Sequence, residues 1–341
     1  MKSVLLIGPI ANKKDSTKTG GVIVLFLDLL QQFDQKGIKY SVIDTNKENY
    51  PNKVIALLCI WYQLLIKSRH FDHLSVHCTI GDFMFIAPVA TLLAKILRQT
   101  VSLRKFGGDF KEDYDSLNII LKPIVSWTLK NSDANFFETK YLVNHFSSFN
   151  QNTYWFPNVR KKVEILRSGP FQKRFIFIGT ITREKGVIEL LEASTLLDES
   201  YTIHLYGPIA EDMKGFDFSP YRAKYQRALN PKEVPLILKD YDVLILPSYR
   251  EGYPGIIIEA LSVGLPIIVT ELAGIKEMID EKCAIFIHSK NTNDIKNSVE
   301  CFDEVNYKDL SENTLKCFES FDSDIQTPKF IQMILNEEQF L

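Results

Sequence analysis

Short runs of β-branched and aromatic residues alternate along this chain with longer stretches whose apolar positions recur at helical spacing. SVLLIG (3–8), KYSVIDT (39–45), HLSVHC (73–78), TVSLRKF (100–106) and ANFFET (134–139) predict strands. Between them, 22–33, 54–68, 83–97 and a stretch from about Lys140 predict helices. Such alternation predicts a mostly parallel sheet covered by helices on both faces. Around 151–170 the pattern lapses into QNTYWFPNVRKKVEILRSGPFQKR, rich in Pro, Asn and basic residues, which places a domain boundary near Asn158 to Lys162. The same grammar then restarts. Strands are expected at 174–180, 201–207, 242–248, 265–271 and 283–288, and helices at 183–197, about 231–240, 254–264 and 274–280. The expectation is two doubly wound α/β domains in tandem, a fold that binds ligands beyond the carboxyl ends of its strands. The last segment, 328–341, reads as an amphipathic helix after Pro328 whose Phe330, Ile331, Ile334 and Leu335 need a surface to cover.

The chain has 341 residues, enough for two cores of about 150 residues each. Its 45% hydrophobic and 24% charged residues are an ordinary globular mix. Cys59, Cys78, Cys283, Cys301 and Cys317 are scattered and odd in number, which argues against a zinc site or a disulfide framework and for reduced thiols in a cytoplasmic protein. MKSVLLIGPI is too short for a secretory leader. The longest apolar stretch, Val54 to Ile66, is too short to cross a bilayer of about 30 Å as a helix. Charge is unevenly divided: residues 1–160 hold 19 Lys and Arg against 13 Asp and Glu (+6), and residues 161–341 hold 21 against 29 (−8). A basic first half suits contact with anionic lipid, with a chance partition of surface charge as the plain alternative.

The stretch most specific for chemistry is PSYREGYPGIIIEALSVGLPIIVTELAGIKEMID (247–280). It leaves a strand, turns through Glu251-Gly252-Tyr253-Pro254-Gly255 and enters a helix carrying Glu259, about two helical turns beyond Glu251. A helix N-terminus offers free N–H groups and a positive dipole end, so a diphosphate can sit there. Glu259 inside an otherwise apolar helix is costly unless it meets polar partners, and ribose hydroxyls would serve.

This segment resembles the Glu-x7-Glu donor signature of family 4 retaining glycosyltransferases, with Gly264-Leu265-Pro266 and Ala273-Gly274-Ile275-Lys276-Glu277 continuing the pattern. The resemblance implies the GT-B fold: two Rossmann-like domains facing a central cleft, residues 1–160 for the acceptor, 161–322 for the nucleotide sugar, and a helix (323–341) returning to the first domain. It implies that Glu259 binds the ribose, that Glu251 touches the donor sugar, and that the backbone at Gly252, Gly255 and Ile256 holds sugar or phosphate. FIGTITREKGVIELLEA (177–193) is similar to the family's strand-Gly-Arg…Glu-Lys-Gly element, which sets Gly179 and Lys185 at the diphosphate. The Arg expected directly after that Gly is replaced by Thr180, with Arg183 as a substitute of different spacing. Gly20-Gly21 resembles the family's flexible glycine loop facing the donor. A His-Gly pair frequent in the family is here Phe106-Gly107, so no histidine is assigned as base. Asp109 is the nearest ionisable alternative, balanced against an ordinary helix N-cap. His77 reads equally as a site residue or a core imidazole. YWFPNVR (154–160) resembles the family's Pro-Asn hinge, with Asn158 lining the cleft.

In activity, the resemblance implies transfer of a sugar, from a UDP-sugar in preference, to an acceptor hydroxyl with anomeric retention. The expected acceptor is lipid-linked or a saccharide, in bacterial surface polysaccharide or glycolipid synthesis, at the inner face of the membrane. No cofactor, metal or nucleic acid is expected. Two other readings stay open: a non-catalytic nucleotide-sugar-binding or assembly module, and a GT-B-shaped nucleotide-sugar epimerase.

Overall fold

The computed structural model describes residues 2–13, 20–163 and 169–335. The chain divides into two compact units. One is formed by residues 1–159 with 324–341, the other by Arg160–Ser323.

The first unit holds a six-stranded sheet of β1 (Val4–Gly8), β2 (Tyr40–Asp44), β3 (His73–Cys78), β4 (Thr100–Lys105), β5 (Ala134–Phe137) and β6 (Thr153–Trp155), in spatial order β2-β1-β3-β4-β5-β6. All its pairings are parallel, with Val4 opposite Tyr40 on one side and His73 on the other. Every residue of β1 is buried, as an apolar run covered on both faces requires. Strand alternation divides its side chains between two cores. Leu5 and Ile7 join Ile60, Leu64, Phe83 and Leu129 under the helices on one face. Val4 and Leu6 join Phe26 and Phe33 of helix Gly21–Gln35, together with Phe330, Ile331, Ile334 and Leu335, on the other. Those four residues lie on helix Ser323–Leu335, which begins earlier than expected and takes Pro328 into its second turn, where proline costs one backbone hydrogen bond. Residues 336–341 of the expected tail helix lie outside the described residues.

The helix expected over 83–97 is two, Ile80–Phe85 and Ala87–Leu97, because Pro88 has no N–H to carry the ladder through Ile86. Strand β6 falls in the segment read as linker, since its pairing to β5 is a tertiary event that a Pro- and Asn-rich composition does not announce.

The second unit holds β7 (Arg174–Ile178), β8 (Thr202–Tyr206), β9 (Lys224–Tyr225), β10 (Val243–Leu246), β11 (Ile267–Thr270) and β12 (Ala284–Ile287), ordered β12-β11-β10-β7-β8-β9 and parallel throughout. From β7 the chain proceeds to β8 on one side; from β10 it proceeds to β11 on the other. The order therefore reverses between β7 and β10, and the crevice above their carboxyl ends is where an open α/β sheet takes a ligand.

Candidate donor site

The segments leaving β7 and β10 meet above that reversal. After β7 come Gly179, Thr180 and a single 3-10 turn, Arg183–Lys185. The helix expected from 183 begins only at Val187, because Gly186 turns the backbone left-handed (φ +68°). Lys185 thus stands on the turn before the helix and not on the helix. Gly186 has a second reason to be glycine. A Cβ there would stand 2.1 Å from the carbonyl oxygen of Pro247, so the turn lies directly against the segment leaving β10. Tyr249 N–H donates to Glu184 O (2.8 Å) and completes the join. Gly274 makes a matching close approach on the far side, where a Cβ would fall 2.4 Å from Gly252 O. The Glu251-Gly252 peptide is therefore clamped between two backbone contacts.

This clamp aims Glu251. Lys185 Nζ donates to Glu251 Oε1 at 2.6 Å, and Ser248 Oγ donates to the same oxygen at 2.7 Å. The carboxylate side chain is 9% exposed and the lysine 28%, so the pair stands at the surface of the protein's interior. Tyr249 OH donates to Glu189 Oε1 (2.5 Å), and burial with that carboxylate pushes the phenol up to about 12, leaving it a neutral donor that ties the loop down.

Helix Gly255–Val263 follows, with Pro254 at its cap and Ile257, Ile258, Ala260 and Leu261 buried. Glu259 is part exposed on the remaining face, and Arg160 Nε donates to its Oε1 at 2.7 Å. Sequence reasoning does not single out Arg160. It sits at the end of the YWFPNVR segment, and its contact spans 99 positions, beyond the reach of any local motif. Ser248 escapes it likewise, although it adjoins the motif.

Arg183 is exposed. Its backbone N–H and the hydroxyl of Thr182 both donate to Asp212 Oδ2 (2.9 and 2.7 Å), and these bonds hold the Asp212 carboxyl below its ordinary range. Gly179 approaches Gly207 so closely that a Cβ on Gly207 would lie 1.8 Å from Gly179 O. Gly179, Arg183 and Lys185 thus lie on the segment leaving β7, and Glu251, Gly252, Gly255, Ile256 and Glu259 on the segment leaving β10.

The other predicted residues belong to the first unit. Gly20 is the cap residue and Gly21 the first residue of helix Gly21–Gln35, and among the described residues none comes within 4 Å of a Cβ at either. Asp109 is exposed at the N-cap position of helix Phe110–Asp115, without a capping bond from its side chain. His77 is fully buried among Phe26, Phe106 and Phe330, with Nε2 on Ser75 Oγ (3.1 Å); burial and Arg104 push its imidazole well down. It is a core residue. At the carboxyl ends of β4 and β5, Arg104, Lys105 and Glu138 are buried together. Arg104 lies 4.6 and 4.1 Å from the Phe106 and Phe156 ring centres, and Lys105 donates to Phe106 O. Burial raises the Glu138 carboxyl to about 7, against the lowering effect of Arg104, the Gly107 amide and Lys105.

Residues 172–302, which lie within the second unit, match the family described as Glycosyl transferases group 1. The putative teichuronic acid biosynthesis glycosyltransferase of Bacillus subtilis is 28% identical over 154 residues, 42% of this chain and 36% of that protein. The N,N'-diacetylbacillosaminyl-diphospho-undecaprenol alpha-1,3-N-acetylgalactosaminyltransferase of Campylobacter jejuni is 24% identical over 162 residues, 46% of this chain and 43% of that protein. These matches span less than half the length of either relative. Among solved structures, Anabaena HepE in complex with UDP is similar with a TM-score of 0.73, covering 98% of this chain and 100% of that one at 11% identity. The fold is that of the GT-B glycosyltransferases, two parallel six-stranded sheets with flanking helices.

Proposed function

We propose that this protein is a retaining glycosyltransferase that moves a hexosyl group from a nucleoside-diphosphate sugar, a UDP-sugar in preference, to a hydroxyl of a lipid-linked or saccharide acceptor. The observation that carries the reading is that Lys185, after β7, pairs with Glu251, and that Glu259, further along the same segment after β10, pairs with Arg160, the two strands being those between which the sheet order reverses. Strand ends at such a reversal are where this fold accepts a nucleotide.

In this reading Glu259 binds the ribose hydroxyls, and Glu251 orients a hydroxyl of the sugar. The amides of Gly255 and Ile256, at the start of a nine-residue helix, meet the diphosphate. The difficult event is charge building on the leaving diphosphate as the anomeric bond breaks. Lys185 and the exposed Arg183 share one turn and offset that charge. The glycine clamp holds Glu251 and Lys185 in place before donor arrives, so little reorganisation accompanies the reaction. In the first unit, the exposed Asp109 offers a carboxylate to the acceptor. With the charge met by side chains and amides, no metal or cofactor is required, and EDTA is expected to leave the rate unchanged.

In the same reading the reaction runs at the cytoplasmic face of an anionic membrane, in surface polysaccharide or glycolipid synthesis. Supporting this, Val54 (68% exposed), Leu58, Tyr62 and Leu65 line the outward side of helix Lys53–Lys67, with Lys53 and Lys67 at its ends and Arg69 on the turn that follows. No helix among the described residues is long and apolar enough to cross a membrane. An apolar strip flanked by cations suits shallow insertion beside acidic headgroups. Co-sedimentation with phosphatidylglycerol vesicles should be strong at low salt and fall with added salt, and Leu58→Asp should abolish it. No binding at low salt would remove the membrane from the reading.

The reaction itself is tested by a thermal-shift screen of UDP-, GDP- and ADP-sugars, followed by proton NMR of the product. A raised melting temperature with one donor, and retained anomeric configuration, are expected. An inverted product would overturn retention. Conversion of the donor sugar without any acceptor would point to an epimerase.

A further inference from the structure

We infer that Arg160 is itself a donor-contacting residue, whose guanidinium supplies the diphosphate with the positive charge absent at Thr180. The inference rests on the proposed donor site and deepens it.

Position comes first. A Cβ built on Gly255 would lie 2.8 Å from an Arg160 terminal nitrogen, so the guanidinium is seated against the first residue of helix Gly255–Val263. The amides that start this helix are the ones assigned to phosphate. A cation at a helix N-terminus faces the unfavourable end of the dipole. Glu259, one turn further in, offsets that cost through the 2.7 Å bond from Arg160 Nε. An anion bound at the helix start would face the guanidinium and the favourable end of the dipole together. At 15% side-chain exposure the guanidinium is partly shielded, where a charge-assisted bond is worth more than in open water.

The backbone fixes this position. Arg160 N–H donates to Phe321 O (3.0 Å), and Arg160 O accepts from Ser323 N–H (2.9 Å), a short parallel bridge opposite Asp322. The side chain therefore leaves from an anchored Cα. Thr180, where the resemblance expects an arginine, is exposed at the end of β7 and carries no charge. Lys185 and Arg160 are each held by one of the two motif glutamates, so a cation from a different part of the chain joins those of the Arg183–Lys185 turn. A planar guanidinium also matches phosphate oxygens better than a point-like ammonium.

The test compares phosphate-bearing and phosphate-free ligands by calorimetry on the full chain. UDP, GDP and ADP are titrated into wild type, and the one that binds is compared with its nucleoside. Arg160→Gln should weaken the diphosphate about 10- to 100-fold, as loss of a hydrogen bond to a charged group does, and leave the nucleoside within about threefold. Equal weakening of both ligands would overturn the inference, because Arg160 would then act only by holding Glu259 for the ribose. Gly255→Ala is the second variant. Its methyl displaces only the flexible end of Arg160, so the fold survives; it should weaken the diphosphate in wild type and add nothing in the Arg160→Gln background. Weakening by Lys185→Met with none by Arg160→Gln would sink this inference alone. No binding of any of the three diphosphates to wild type would sink the donor reading with it.

Discussion

The two sheets of this protein share an architecture and use charge at their carboxyl edges in opposite ways. In the first unit Arg104, Lys105 and Glu138 are sealed off, with aromatic rings over both cations and a carboxyl raised to about 7. In the second, Lys185–Glu251 and Arg160–Glu259 are part exposed and sit on segments pinned by close backbone contacts. A buried cluster of this kind acts on folding and its pH dependence. A part-exposed pair on a rigid turn can exchange its partner for a ligand at small cost. The same residue types therefore become structural or ligand-ready according to how much water and space the neighbouring backbone leaves.

The sharpest way to break this contrast is Lys185→Met. Transfer should fall about 10²- to 10³-fold, the usual cost of removing one electrostatic stabiliser from a reaction centre. The variant also strands Glu251 without its cation. Lys185→Met combined with Glu251→Gln should therefore regain melting temperature without regaining turnover, measured by calorimetry and product release. Recovery of activity in the double variant would show that the pair serves the fold.

The next effect concerns the clamp. Gly186→Ala places a methyl against Pro247 O at positive φ, and urea titration should show a loss of about 3 kcal/mol. Gly37→Ala in the first unit has a similar φ (+62°) and open space around it, so about 1 kcal/mol is expected there. Equal losses would mean that the backbone contact in the second unit is not tight.

The smallest effect is a pH slope. Glu138 binds its proton more tightly folded (about 7) than its ordinary value of 4.5, so it contributes stability at low pH that is lost as pH rises from about 4.5 through 7. Buried His73, pushed down to about 3, and His77, also pushed down, act in the opposite sense; their contribution is lost as pH falls below about 6.5. Glu138→Gln removes the opposing slope. Stability should then rise more steeply from pH 4.5 to 6.5, by at most about 1.4 kcal/mol per pH unit. An unchanged slope in urea titrations would show that Glu138 is not sealed off.

Much of the second unit is legible in the residues themselves. Continuous apolar runs ending at Gly179 and Pro247 give the strand ends, and the Glu251…Glu259 spacing marks a turn into a helix. Lys185 reads as a cation of this edge, but the pattern puts it on a helix, because Glu-Lys-Gly looks like a helix start until the left-handed Gly186 separates them. His77 cannot be decided from sequence, since an imidazole at a strand end reads alike whether buried or open. Three phenylalanines from three separate segments close over it.

Local pattern is enough for the parallel α/β fold and for placing Glu251 on a turn and Glu259 on the helix that follows it, because apolar periodicity and glycine placement act over neighbouring residues. It took the folded chain to settle which charges are sealed and which stay available, that Lys185 meets Glu251, and that Arg160 reaches Glu259. Those outcomes depend on segments tens of residues apart arriving at one edge of a sheet. The distance between two charges and the water between them are properties of that arrival, and no run of neighbouring residues contains them.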